Sequence, residues 1–215
     1  MMEFSLEGCH MATARFGKAQ FVGPTRFDGT QFIDDAGFRS VQFVATARFS
    51  KARFLQAAGF DGCRFGDPTS FDDAEFAETA GFSKSQFAGG ARFDRARFVG
   101  HAWFDEVEFA HAVGFSKAHF VGTAWFDGTR FASDTSFHEA RFNDDLGFNR
   151  RRGRDGQIEP LTPCWVLLQN NSRQSFPDGW SVQPTPEQPN AAVRGRWGRL
   201  NPNPPTSPPP HSPMP

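Results

Sequence analysis

The sequence predicts an all-β solenoid, and three features of its 215 residues support that prediction. Phenylalanine recurs after five residues and then after six, without a miss, from Phe16 to Phe148. This 11-residue period includes 25 of the 27 phenylalanines, and no tyrosine is present, so the apolar material is concentrated in one residue type. The residue two positions before each Phe is small in nearly every unit, with one polar residue between them. That alternation is typical of a strand with one buried side.

A helical repeat is the competing interpretation, and the spacing excludes it. Steps of five and six residues do not keep phenylalanine on one side of a helix. Glycine, aspartate, threonine and proline also recur in the links, where they disfavour helix. The period therefore indicates short strands joined by turns.

Residues 1–15 are predicted to form a degenerate first coil that acts as an N-terminal cap. Leu6 and Met11 occupy the positions where later units have phenylalanine, and they lead in phase to Phe16. Terminal units of repeat proteins are usually atypical, because they shield the open end of the stack.

Residues 16–149 are predicted to form the solenoid itself, with two kinds of corner. The short link after Phe27 or Phe60 is polar, as in Asp28-Gly29 and Asp61-Gly62. Aspartate and glycine favour tight turns, since glycine accepts positive φ. The alternate link is one residue longer and usually begins with an apolar residue, such as Val22. Tight polar corners and wider, partly apolar corners should therefore alternate.

Two internal periods compete for the length of one coil. Ala-Gly-Phe recurs every 22 residues at Phe38, Phe60 and Phe82, whereas Lys18 and Lys51 begin a series that recurs every 33. We take 22 residues as the coil, because four short strands close a square section, and 33 as the trace of a duplicated block. Six such coils would span about 29 Å along the axis.

The repeating unit of a small residue, a polar residue, Phe and a turn resembles the pentapeptide-repeat family. It is most similar to the Phe-rich variant with alternating five- and six-residue steps, over about residues 4–149. The resemblance implies a right-handed quadrilateral β-helix with each Phe and the preceding small residue inside. The common form of the family has about 20 residues per coil, so a 22-residue coil implies a bulge at every second corner.

The C-terminal third divides into a cap and a tail. Residues 150–182 are predicted to comprise a basic exit, Arg150 to Arg154, followed by a segment that folds over the last coil. Its apolar run is Leu161 to Leu168. Residues 183–215 contain 11 of the 16 prolines and are predicted to be a disordered tail.

The sequence indicates a protein without enzymatic activity. It shows no catalytic constellation, no spacing of His or Cys typical of a metal site, and no glycine-rich phosphate loop before a helix, so no cofactor is expected. No apolar stretch approaches the roughly 20 residues of a membrane helix, and no signal peptide is evident. A cytoplasmic protein that does not contact the membrane is therefore expected.

The predicted contact surface is a pair of tryptophans, Trp103 and Trp125, on successive coils beside Asp105 and Asp127. Their column has glycine in earlier coils, so the two rings should stack on the outside. Exposed aromatic groups flanked by acids suit a basic partner. The alternative is that the tryptophans only cover the outside of the coil. The leading hypothesis is a protein-interaction scaffold whose partner the sequence does not identify.

A second hypothesis rests on acidic residues. Asp72, Asp73, Glu75 and Glu78 lie within seven residues, and some pentapeptide-repeat proteins bind DNA gyrase by resembling the DNA duplex. A topoisomerase is therefore the alternative partner, although a net charge of -5 over residues 1–148 is a weak imitation of DNA. Direct nucleic-acid binding is not expected.

Overall fold

The computed structural model describes residues 2–143, 146–147, 164–168, 174–177, 180–187 and 196–202. All regular secondary structure in these residues is β-strand, and the strands form four sheets that enclose one core. The predicted all-β solenoid of about six coils is confirmed. Each sheet is one face of the solenoid, and the faces are numbered 1 to 4 in the order in which the chain first reaches them.

The strands of the repeat are two residues long, and the list below follows the chain within each face. Face 1 contains Phe4–Ser5, Thr25–Arg26, Ala47–Arg48, Thr69–Ser70, Ala91–Arg92, Val113–Gly114, Thr135–Ser136 and Gln174–Ser175. Face 2 contains His10–Met11, Gln31–Phe32, Arg53–Phe54, Glu75–Phe76, Arg97–Phe98, His119–Phe120 and Arg141–Phe142. Face 3 contains Ala14–Arg15, Ala36–Gly37, Ala58–Gly59, Ala80–Gly81, Ala102–Trp103, Ala124–Trp125 and Leu146–Gly147. Face 4 contains Gln20–Phe21, Gln42–Phe43, Arg64–Phe65, Gln86–Phe87, Glu108–Phe109, Arg130–Phe131, Trp165–Leu168, Trp180–Thr185 and Arg196–Pro202.

The register of these sheets confirms the 22-residue coil. Arg53 is the ladder partner of Glu75, and Glu75 is in turn the partner of Arg97. The repeat strands pair in parallel, each with the strand one coil before and after it. The first coil is one residue shorter, since Phe4 pairs with Thr25. The 33-residue period is therefore not the length of a coil.

The core consists of four columns of stacked phenylalanine rings. Consecutive rings in a column lie between 4.5 Å (Phe65 to Phe87) and 5.5 Å (Phe109 to Phe131) apart, measured between ring centroids. Neighbouring columns meet edge to face, as Phe49 and Phe60 do at 84°. Both geometries are favourable for aromatic pairs. Every Phe from position 27 to position 137 is at most 2 % exposed.

The short corners are tight turns with one residue of positive φ. At the corner after Phe60, the Cys63 amide donates to the Phe60 carbonyl at 3.1 Å, and Gly62 has φ of 65°. Positive φ at the third residue alone is the pattern of a type II turn. Lys51, with φ of 60°, shows that residues other than glycine adopt the same conformation. Its amide donates to the Asp72 carbonyl one coil on, at 2.8 Å, so the ladder holds the corner in place.

The C-terminal cap extends face 4 beyond the repeat. Trp165–Leu168 pairs in parallel with Arg130–Phe131, and Arg196–Pro202 then pairs with it antiparallel. Trp180–Thr185 adds the outermost strand. Cys164, Val166 and Leu200 are fully buried against the last coils. The cap therefore closes the end of the core on this face.

The cap extends into the segment that the sequence assigns to a disordered tail. Residues 183–185 and 196–202 are in paired strands, although the tail is predicted to start at 183. The physical reason is that Trp197 and Leu200 are buried within an otherwise polar, proline-rich stretch. Arg150 to Arg154 and all residues after 202 lie outside the described residues.

Loss of one ring from the middle of a column should strongly destabilise the protein. Phe60 is fully buried and stacks on Phe38 at 4.8 Å and Phe82 at 5.0 Å, so Phe60→Ala should lower the free energy of unfolding by about 3–5 kcal/mol. Phe16, which is only half-buried at the N-terminal end, is the matched control. Urea unfolding followed by circular dichroism measures both. Equal losses at the two positions would contradict the column as the source of stability.

Alanine substitutions at Gly62 and Gly59 distinguish the cost of backbone strain from the cost of added side-chain volume. Gly62→Ala places a side chain at φ of 65° and should cost about 1 kcal/mol. Gly59→Ala lies in a strand where the added methyl group finds only ordinary contacts of 3.5 Å or more. It should be neutral or stabilising by about 0.5 kcal/mol. Thermal melts of the two variants check the prediction, and a reversed order would refute the turn geometry.

Candidate functional site

The two tryptophans of face 3 form one aromatic unit on the outside of the solenoid. Trp103 and Trp125 are ladder partners, and their rings stack with centroids 4.1 Å apart at 15°. The His101 ring lies 5.5 Å from that of Trp125. Both indoles are half-buried, in contrast to the phenylalanines inside. The structure therefore presents a stacked indole pair to solvent.

A groove of about 620 Å³ lies beside this pair on the same face. Gly37, Gly59 and Gly81 line it, at the column positions that Trp103 and Trp125 occupy in later coils. Trp103 closes the groove at one end. The other lining residues are Asp35, Ala36, Arg39, Ala57, Ala58, Asp61, Thr79, Ser83 and Asp105. The glycine column is evident in the sequence, but the groove left by its missing side chains was not predicted from it.

Asp61 occupies a fixed position within the groove. Its carboxylate accepts a hydrogen bond from Arg39 Nε at 3.1 Å and another from the Ser83 amide, one coil on, at 3.2 Å. A Cβ built on Gly81 would lie 2.7 Å from Asp61 Oδ1, so only glycine fits below the carboxylate. The same arrangement recurs on face 1, where Asp94 binds the Ser116 amide at 2.8 Å above a glycine. Aspartate over glycine is thus a repeated feature of the tight corners.

The two aspartates predicted beside the tryptophans differ in accessibility. Asp105 is half-buried and lines the groove. Asp127 is only 8 % exposed. Burial raises the pKa of the Cys164 thiol well above its ordinary value, and the negative charge of Asp127 adds to that increase, which places the carboxylate near the cap. Asp127 is therefore too enclosed to serve as a contact residue.

The acidic residues of the second hypothesis are largely compensated by arginines. Asp72 is buried and forms an ion pair with Arg92. Arg95 donates two hydrogen bonds to Asp73, at 2.7 and 2.8 Å, and these hold the pKa of the Asp73 carboxyl below its ordinary value.

The remaining two acids lie on and next to face 2. Glu75 lies between Arg53 and Arg97, with N–O distances of 3.4 and 3.2 Å. Glu78 is exposed and forms no ion pair with a described residue. The surface is thus an alternating ladder of charges and not a continuous acidic strip.

A second groove of about 610 Å³ lies on face 1 and includes Arg48, Ser70 and Arg92 in its lining. Arg48 forms an ion pair with Asp28 at 2.9 Å, and Arg92 is bound to Asp72. Arg26, the third arginine in the lining, pairs with Glu3 at 2.7 Å, so each arginine already has a carboxylate partner. No aromatic residue lines this groove.

No arrangement for metal binding or nucleophilic catalysis appears in the part of the chain that the structure describes. That part has no group of three or more His, Cys, Asp or Glu side chains arranged to hold a metal ion. Burial raises the pKa of the Cys63 thiol to about 12, which suppresses the reactive thiolate. Nor do the described residues include a helix with the length and apolar character needed to cross a membrane.

The comparisons with known proteins agree with this architecture. A family model described as pentapeptide repeats (nine copies) matches residues 16–64, 60–108 and 104–150. No curated protein and no solved structure gives a significant match. The three matches together extend over more than half of the chain and include nearly all of the phenylalanine repeat. The chain therefore belongs to the pentapeptide-repeat family.

Proposed function

We propose that this solenoid is a non-enzymatic scaffold that binds a protein partner through face 3. The contact surface consists of Trp103, Trp125 and the glycine-lined groove beside them. One observation carries the proposal: a stacked indole pair remains accessible in coils where every phenylalanine ring is buried. Tryptophan is enriched among the residues that dominate binding energy in protein interfaces.

The surroundings of the tryptophans support a binding role over a covering role. Of the three tryptophans in the described cap strands, Trp165 and Trp197 pack with Leu167 and Ala132 on the face-4 side, and Trp180 packs against the main core. That apolar cluster does not include the stacked pair of Trp103 and Trp125 on face 3. The core does not need the indoles as an outer layer. Ala80 and Phe82, on either side of Gly81, are as fully buried as Ala102 and Phe104, on either side of Trp103. The indoles therefore add a feature that the core does not need.

The fixed backbone of the solenoid further favours binding at face 3. The amide of Phe82 donates to the Trp103 carbonyl at 2.7 Å, and the amide of Phe104 donates to the Trp125 carbonyl at the same distance. The backbone at both tryptophans is thus fixed without a partner, and the two rings stack on each other. Pre-organisation of this kind reduces the entropy lost on binding.

The topoisomerase hypothesis receives less support from the charges. A DNA mimic needs a dense run of uncompensated negative charge. Asp72, Asp73 and Glu75 are each paired with arginine. The ion pairs therefore favour the interaction scaffold as the first function to test.

Replacement of both tryptophans by glycine should abolish partner binding without unfolding the protein. Glycine is the residue of the same column in three earlier coils, so Trp103→Gly/Trp125→Gly should retain the wild-type circular dichroism spectrum. The partner is captured from extract of the native host by immobilised full-length protein, and its amount is measured by quantitative mass spectrometry. The double variant should retain less than about one tenth of the wild-type amount.

The matched control carries Arg97→Ala and His119→Ala, which lie on face 2 in the same two coils. It should capture the partner as the wild type does. Equal capture by wild type and the glycine variant would rule out face 3 as the contact surface. Inhibition of gyrase supercoiling that persists in the glycine variant would support the topoisomerase alternative instead.

A further inference from the structure

We infer that the face-3 groove receives an arginine side chain of the partner, with its guanidinium stacked on Trp103 and hydrogen-bonded to Asp61. This inference rests on the proposed function and specifies the chemistry that face 3 recognises. It follows from four properties of the groove: a free aromatic surface, an excess of carboxylates, a fixed acceptor, and arginine contacts that the chain already makes.

The aromatic surface is the side of the Trp103 ring that points away from Trp125. Trp125 covers one side of this ring at 4.1 Å between centroids. The column position before Trp103 is Gly81, which has no side chain to cover the other side. Strands of neighbouring coils are about 4.8 Å apart, so a planar group next to the Asp61 carboxylate, at the level of Gly81, would stack on the indole.

The charges that line the groove favour a cation. Asp35, Asp61 and Asp105 contribute three carboxylates, whereas Arg39 is the one basic residue among the lining residues. An ammonium or guanidinium group over the face of tryptophan is attracted by the ring quadrupole. The groove therefore combines both attractions.

Asp61 is the acceptor in the plane that the guest would occupy. Its Oδ1 atom lies 2.7 Å from the position that a Cβ on Gly81 would take, so the carboxylate is level with a group stacked on Trp103. It accepts hydrogen bonds from Arg39 and Ser83, and a carboxylate has about four lone-pair positions, so acceptor capacity remains. A planar cation could thus contact the ring with its face and Asp61 with its edge.

The chain itself already uses both contacts that we assign to the guest. Arg39 lies over Gly59, with Nε and Cγ 3.5 and 3.6 Å from a Cβ built there, and donates to Asp61. In the cap, the guanidinium of Arg199 lies 5.3 Å from the centroid of the Trp165 ring. The guest would combine these two contacts one coil beyond Arg39. Arginine suits them better than lysine, because its guanidinium is planar and its donors are fixed.

The test is a titration of the isotope-labelled full-length protein with N-acetyl-arginine methylamide, followed through the indole NH signals in NMR spectra. Trp103→Gly assigns the Trp103 signal by its disappearance. We expect a saturable shift of this signal, with the lysine analogue binding about 2- to 5-fold more weakly and the neutral citrulline analogue more weakly still. No saturable shift with arginine, or an equal response to citrulline, would overturn the inference.

Three variants test the position of the guest. Asp61→Asn should weaken arginine binding about 3- to 10-fold, because the ion pair is lost. Arg39→Ala should tighten it about 2- to 5-fold, since a competing cation leaves Asp61. Glu75→Gln, on face 2, should change nothing. Unchanged affinity in Asp61→Asn, or weaker binding in Arg39→Ala, would contradict the assigned geometry.

The outcome is separable from that of the capture experiment. If the tryptophan variant loses the partner but arginine causes no shift, face 3 remains the contact surface and the arginine inference is wrong. If arginine binds at Trp103 but capture does not depend on the tryptophans, the groove binds arginine and the scaffold proposal is wrong.

Discussion

The parallel ladder between residues 22 apart is the constraint on which the rest of the structure depends. It places each phenylalanine on the one in the preceding coil, so the strand spacing of about 4.8 Å and the spacing of stacked rings coincide. Because phenylalanine occupies every position of the stacked columns from Phe27 to Phe137, the packing of the rings repeats along the axis. The ladder also provides hydrogen-bond acceptors for the backbone amides at the corners. This explains why lysine, serine, aspartate, arginine and glutamate are tolerated at positive φ in the short turns.

The same constraint makes the outer surface a set of independent columns. With the backbone fixed, a change at an outward position alters the surface without altering the path of the chain. On face 3 the column changes from glycine to tryptophan between Gly81 and Trp103, and this single step creates both the groove and the wall that closes it. Asp61 is held at the step by the Ser83 amide, so the acidic group and the ring have a defined relative position. The proposed recognition of a basic side chain depends on this step and on the Asp61 carboxylate beside it.

Much of the fold could be predicted from the sequence, because the spacing of the phenylalanines indicates where the strands lie and how many residues form one coil. The alignment of Trp103 and Trp125 followed from the same count. The ion pairs of Asp72 and Asp73 did not, since they depend on side-chain rotamers between coils. The burial of Asp127 was also not predicted, because the sequence pattern does not distinguish it from the half-buried Asp105. Arg196–Pro202 was hidden by its proline-rich composition, in which Trp197 and Leu200 are isolated apolar residues. The repeat therefore predicts the core and the coil, whereas the candidate site depends on residues that depart from the repeat.

The most direct test of the 22-residue ladder is a series of distances between spin labels along one column of face 2. Labels are placed on cysteines that replace Gln31 together with His119 or Arg141, and His10 together with Arg141, in a Cys9→Ser background. Cys63 and Cys164 are buried and should not react. Pulsed electron paramagnetic resonance should give backbone separations of about 19, 24 and 29 Å, rising by one strand spacing per coil. Separations that fail to rise in equal steps would show that residues 22 apart are not stacked, and would contradict the account.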